Sequence, residues 1–230
     1  MAQPAPITRT TLRTPRAAAI AGILFSLLLG LALVLITVSS PANPATVGAW
    51  LTYSQRRGTI AVALNLVPFA GIAFLWFIGV VRDRIGQRED RFFASVFLGS
   101  GLLFVAMLFV GAAFAGGLIA DMAAGSAAAP GPDALALGRQ ITSLLLRLYA
   151  MRMAAVFTIS TATIGLRTKV VPRWIGLLGI AVAVVLLVSV GLTVWGELLF
   201  PAWILLLSVD ILRTGLRQPP GTVATATHAA

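Results

Sequence analysis

The chain has 230 residues, of which 59% are apolar and only 10% charged, with a mean hydropathy of +0.97. An ordinary soluble domain is about 45–50% apolar and about 25% charged, so the composition excludes a soluble enzyme and a disordered chain and points to an integral membrane protein, with a length that suits one helical bundle. The formal charge of +10 comes from 17 basic against 7 acidic residues. The bases sit in short clusters beside apolar runs rather than on one soluble face, so they read as topology signals and not as a nucleic-acid surface.

In chain order, residues 1–16 are Pro-, Thr- and Arg-rich and read as a disordered cytoplasmic tail. Ala17–Val38 carries no charge over 22 residues. That is longer than the roughly 7–15 residues of a signal-peptide core and long enough to cross about 30 Å of hydrocarbon, so it reads as an uncleaved first span. The segment 39–59 opens on Ser39, Ser40 and Pro41. Val47, Trp50 and Leu51 then recur at helical spacing, which predicts a short interfacial helix with Trp50 and Tyr53 at headgroup level. The second span is 60–81, with Asn65 and Pro68 inside it. Arg82–Arg91 follows as a loop with seven charges in ten residues.

The third span is 92–116. The loop 117–138 holds two acids and no base, with Asp133 as the candidate N-cap of the next helix. The fourth span, 144–166, contains Arg147 and Arg152 and is closed by Arg167, Lys169 and Arg173. The fifth and sixth spans, 174–191 and 198–212, leave room only for a tight turn near Trp195–Glu197, with Pro201 in a first helical turn. The tail 213–230 reads as disordered and cytoplasmic. The fold class expected is all-α, a bundle of six transmembrane helices with both termini cytoplasmic. With the N-terminus inside, twelve bases fall on cytoplasmic segments and three (Arg56, Arg57, Arg139) on outer ones.

The residues that are absent remove most catalytic chemistry. There is no Cys, and the single His, His228, lies in the C-terminal tail. No disulfide, thiolate nucleophile, Cys-ligated metal or His-based triad can be built, and no cofactor or metal is expected. An ionisable residue inside a span is costly, so each is a candidate site. Arg152 is the deepest, and Glu197 is the acid that best matches its depth, ahead of Asp121. Asp210 lies toward the inner end of the sixth span. Asn65 has a similar outer-half depth. Asn65, Arg152 and Glu197, joined by Tyr149 and by Arg147 nearer the headgroups, form the candidate polar cluster. Its functional reading is an anion, headgroup or proton-relay site; its structural reading is a polar staple between spans two, four and six.

Thr158, Ser160, Thr161 and Thr163 mark the inner half of the fourth span and read either as a polar stripe lining a pathway or as hydroxyls bonded to their own helix. Ser95-x-x-x-Gly99 and Gly176-x-x-Gly179-x-x-x-Ala183 read as small-residue helix contacts.

Asn65–Met107 (NLVPFAGIAFLWFIGVVRDRIGQREDRFFASVFLGSGLLFVAM) resembles uncharacterised multi-pass membrane proteins of actinobacteria. The predominance of Arg over Lys and the abundance of Ala, Val and Gly fit a high-GC genome. The resemblance implies membrane residence and a bacterial source and assigns no activity, cofactor or site residue; the location expected is the cell inner (plasma) membrane. Three functions remain open on the sequence: an accessory or scaffold subunit of a membrane complex; a small transporter or channel with an outer-half polar site around Arg152; and an intramembrane enzyme, for which no paired-carboxylate motif is present. The partners expected are membrane lipids and either another membrane protein or a second copy of the chain, not nucleic acid.

Overall fold

The structure, a computed structural model, describes residues 14–39, 54–85, 91–124, 131–169, 171–188 and 195–217. Among the described residues there is no strand, and six helices follow one another: α1 (Thr14–Ser39), α2 (Ser54–Ile85), α3 (Arg91–Ala124), α4 (132–168), α5 (Arg173–Val188) and α6 (Leu199–Arg217). Four of them, α1 to α4, are long and apolar enough to cross a membrane. α5 is apolar but shorter, at 16 residues. Helices are what such a sequence must form in hydrocarbon, where every backbone N–H and C=O has to be satisfied within its own segment.

The helices close into a ring in chain order. Each helix packs on the next, the α1–α2 pair most extensively and the α5–α6 pair least, and α6 returns to pack on α1. The tightest connection joins α4 to α5. Lys169 takes the left-handed conformation, φ 55°, and ends α4. The Val171 N–H donates back to the Gly165 carbonyl at 3.5 Å, and the Pro172 carbonyl accepts from the first amides of α5, Ile175 (3.0 Å) and Gly176 (3.2 Å). Gly165 is required there, since a Cβ would sit 2.7 Å from Val171.

The middle of the ring is filled by aromatic rings from five helices. Phe25 of α1, Phe74 and Phe77 of α2, Phe97 and Phe104 of α3, Phe157 of α4 and Phe200 of α6 are all essentially inaccessible. Phe25 lies 4.5 Å from Phe74, Phe74 5.0 Å from Phe157, Phe97 4.8 Å from Phe157, and Phe104 5.0 Å from Phe200, mostly in tilted or edge-to-face arrangements that suit the ring quadrupoles. The outer surface is apolar too: Phe69, Trp76, Leu177 and Val184 are exposed. Large exposed apolar side chains all round a bundle are what a lipid-facing surface needs.

The helices differ from the sequence expectation mainly at their ends. α3 runs on to Ala124, and α4 begins at Pro132 rather than Leu144. Asp133 is therefore not the N-cap. Gly131 holds that position in an extended conformation, Pro132 opens the helix, and Asp133 lies in the first turn without a capping hydrogen bond, where its charge complements the helix dipole. The Ala/Gly-rich sequence across 117–138 hides these ends, because it holds long stretches with no polar residue. α2 continues through Pro68, and Arg82–Arg91 is partly helical, since α2 reaches Ile85 and α3 starts at Arg91. α6 continues to Arg217, into the expected tail. The interfacial helix around Val47 and Trp50, residues 1–13 and residues 218–230 lie outside the described residues.

Candidate functional site

The candidate site is built on an irregularity of α4. Residues Leu144–Ala150 form a π-helical turn between the α-helical segments Pro132–Ser143 and Met151–Thr168. A π turn widens the helix and rotates the residues on either side relative to one another, so α-helical phase cannot be carried across it. It packs on α3, and Gly111 of α3 makes the approach close: a Cβ there would meet Leu146 at 2.6 Å and Leu145 at 3.4 Å. On the π turn, Arg147 points toward Glu197, its Nε 3.3 Å from Glu197 Oε1.

Glu197 lies in a single 3-10 turn, Gly196–Leu198, immediately before α6 and outside the span 198–212. The Leu198 N–H closes that turn on the Trp195 carbonyl at 3.1 Å. The Glu197 side chain is only 17% exposed and that of Arg147 is 42% exposed. Burial pushes the Glu197 carboxyl above its ordinary value of 4.5, and the Arg147 guanidinium pulls it part of the way back.

The structure brings Arg147 and Glu197 together and leaves the other members of the expected cluster apart. Arg152, expected to face Glu197, is exposed on the outer surface of α4, and among the described residues it pairs with no carboxylate. The physical reason is twofold. Glu197 sits in a turn before its helix rather than within it, which matches it to the arginine nearer the N-terminal end of α4. The π turn also breaks the phase between Arg147 and Arg152. Tyr149 is exposed on the outside as well. Asn65 lies elsewhere, on α2, where its Nδ2 donates to the Ala61 carbonyl one turn back at 2.9 Å. It stands in the wall of a groove of about 550 Å³ between α2 and α3, with Leu64, Pro68, Phe109, Ala112 and Gly116.

The hydroxyls of α4 do not form a stripe. Thr158, Ser160 and Thr161 are buried and donate to the carbonyls of Ala154, Val156 and Phe157 at 2.7–2.8 Å. Thr163, eleven residues from Arg152, falls on the same outward face as that arginine. Asp210 and Asp121 are not drawn to Arg147; Asp210 lies beside Arg213 and Asp121 is exposed. No group of three or more His, Cys, Asp or Glu that could hold a metal ion occurs among the described residues.

Two further polar contacts were not readable from the sequence. Trp203 of α6 is buried and donates from Nε1 to the Ile175 carbonyl of α5 at 3.1 Å. Its ring lies over Gly179, where a Cβ would come within 2.7 Å. The GxxG spacing on α5 was the only signal, and it names neither the partner helix nor the residue. The Ser208 hydroxyl is buried and has no hydrogen-bond partner among the described residues, directly against Gly22 of α1. The chain matches no protein-family model, no curated protein and no solved structure.

Proposed function

We propose that the protein is a bacterial plasma-membrane protein of six spans with both termini cytoplasmic, serving as an accessory or scaffold subunit of a membrane complex. The observation that carries this reading is the filled centre. Seven phenylalanines occupy the middle of the helix ring, and the buried hydroxyls of α4 are spent on their own helix. Among the described residues no polar route runs through the bundle, so its work falls to its outer surface. A small transporter or channel, the alternative, needs a path where the rings are stacked. The α2–α3 groove, with the small residues Ala112, Ala113 and Gly116 along it, is the concavity into which a partner helix would fit closely.

Isolation of the tagged protein in mild detergent tests the function. A second membrane protein in stoichiometric amount supports it; migration alone, or only as a homo-oligomer, overturns it. The orientation rests on the twelve-to-three distribution of bases. Reporter fusions after Gln87 should read cytoplasmic and those after Gly131 extracytoplasmic. The reverse at either position would sink the topology.

A further inference from the structure

Among the described residues Arg152 pairs with no carboxylate. Arg147, five residues earlier, is held by Glu197. Arg152 is exposed on the outer surface of α4, among residues that pack otherwise against α3 and α5. Its depth follows from the helix itself. Arg147 and Arg167 are twenty residues apart on α4, nearly 30 Å along a helix and close to the thickness of the hydrocarbon layer. Arg152 then lies roughly 7 Å below the outer end of that interval.

The direction of α4 settles where its side chain goes. Cα–Cβ bonds lean toward a helix's N-terminus, and in the proposed topology the N-terminus of α4 is the outer end. A long side chain at Arg152 therefore rises toward the outer headgroups while its methylenes lie against hydrocarbon. Tyr149 stands one turn nearer that surface, 49% exposed, at the level where tyrosine hydroxyls settle among headgroups. Among the described residues no carboxylate meets the charge at this depth, which leaves it open to the surrounding lipid. A phosphodiester is the anion available along that whole face, and a guanidinium matches two of its oxygens at once.

We infer that Arg152, flanked by Tyr149, holds the phosphate of an outer-leaflet phospholipid whose headgroup carries net negative charge. This rests on the proposed topology but not on the scaffold reading. A lipid clamped here fixes the depth and rotation of α4 at its π turn.

The test uses the full-length protein in detergent, titrated with phosphatidylglycerol, phosphatidylethanolamine or inorganic phosphate, with melting temperature and lipid retained in native mass spectra as readouts. The expected result is that phosphatidylglycerol raises the melting temperature by several degrees, well beyond phosphatidylethanolamine, and that inorganic phosphate leaves it unchanged. Arg152→Gln should remove more than half of that rise and most of the retained lipid. Arg152→Lys should keep part of both, and Arg139→Gln, on the same helix before the span, should keep all. An equal rise in Arg152→Gln overturns the site, and so does an equal rise with inorganic phosphate. If Arg152→Gln instead releases a co-purifying subunit with the lipid rise intact, a partner's carboxylate meets the charge and the inference fails. Loss of the lipid effect with a subunit still bound separates this site from the scaffold reading. The reporter fusions test the topology independently.

Discussion

α3 and α5 carry similar small-residue spacings and use them in opposite ways. On α5, Gly176 lies against Leu166 of α4 and Gly179 against the Trp203 ring of α6, each too close for a Cβ, and Ala183 is fully buried. On α3, among the described residues, nothing lies within 4 Å of where a Cβ would stand at Gly99, Gly116 or Gly117. The α5 glycines are consumed in closing the ring; these three α3 glycines stay open, while Gly101 and Gly111 of the same helix are packed against Phe157 and Leu146. The same division separates the two arginines of α4, with Arg147 tied inward to Glu197 and Arg152 turned outward. A small-residue motif or a membrane-depth charge is thus a statement about need, and only the packed structure says whether the need is met within the chain.

The largest expected effect opposes the two glycine faces directly. Gly179→Ala drives a methyl into the Trp203 ring and should lower stability by about 1–3 kcal/mol. Gly99→Ala meets no atom and removes a helix-weakening glycine, so it should raise stability by about 0.5–1 kcal/mol. Thermal unfolding in detergent reads both signs, and a loss at Gly99 would mean that the α3 face is occupied within the protein after all.

Next in size is the cycle on the arginines. Arg147→Gln and Glu197→Gln should be non-additive, with a coupling of at least about 0.5 kcal/mol for residues in contact. Arg152→Gln combined with Glu197→Gln should be additive within about 0.3–0.5 kcal/mol. Coupling at Arg152 rather than Arg147 would reverse the assignment.

The smallest effect is on pH. Because the Glu197 carboxyl is raised in the fold, the folded state holds its proton more tightly than the unfolded chain does. Its contribution favours folding most below pH 4.5 and is lost as pH rises through the folded value. Glu197→Gln should flatten that slope. Arg147→Gln, which removes the opposing pull, should move the loss to higher pH. A slope unchanged by Glu197→Gln would show that another group titrates there.

The helical architecture was legible because an apolar run in hydrocarbon has few alternatives, and the runs beginning at Ala17, Ile60 and Phe92 all lie within helices. What escaped the sequence has specific causes. The start of α4 is blurred because several Gly and Pro residues across 117–138 could each begin a helix, and Asp133 is the residue type that caps best although Gly131 and Pro132 hold those positions. The outer ion pair was assigned by depth, and depth is uncertain by a turn when the acid lies in a 3-10 turn beside its helix. No residue pattern announces the π turn at Leu144–Ala150, which depends on the room left by Gly111 on another helix. The inward direction of seven phenylalanines is equally hidden, since Phe69 and Phe74 of α2 look alike in sequence while one is 64% exposed and the other fully buried. When both the core and the solvent are apolar, hydrophobicity does not tell inside from outside.

The return of α6 to α1 has a consequence for how the protein is made. Phe25 emerges early in synthesis, yet two of its ring contacts, with Phe104 and Phe200, lie on α3 and α6. α1 must wait with one side uncovered until α6 arrives, and the ring closes only once α6 has been made. A chain arrested before α6 would leave an open seam between α1 and α5, with the Phe200 side of Phe25 uncovered.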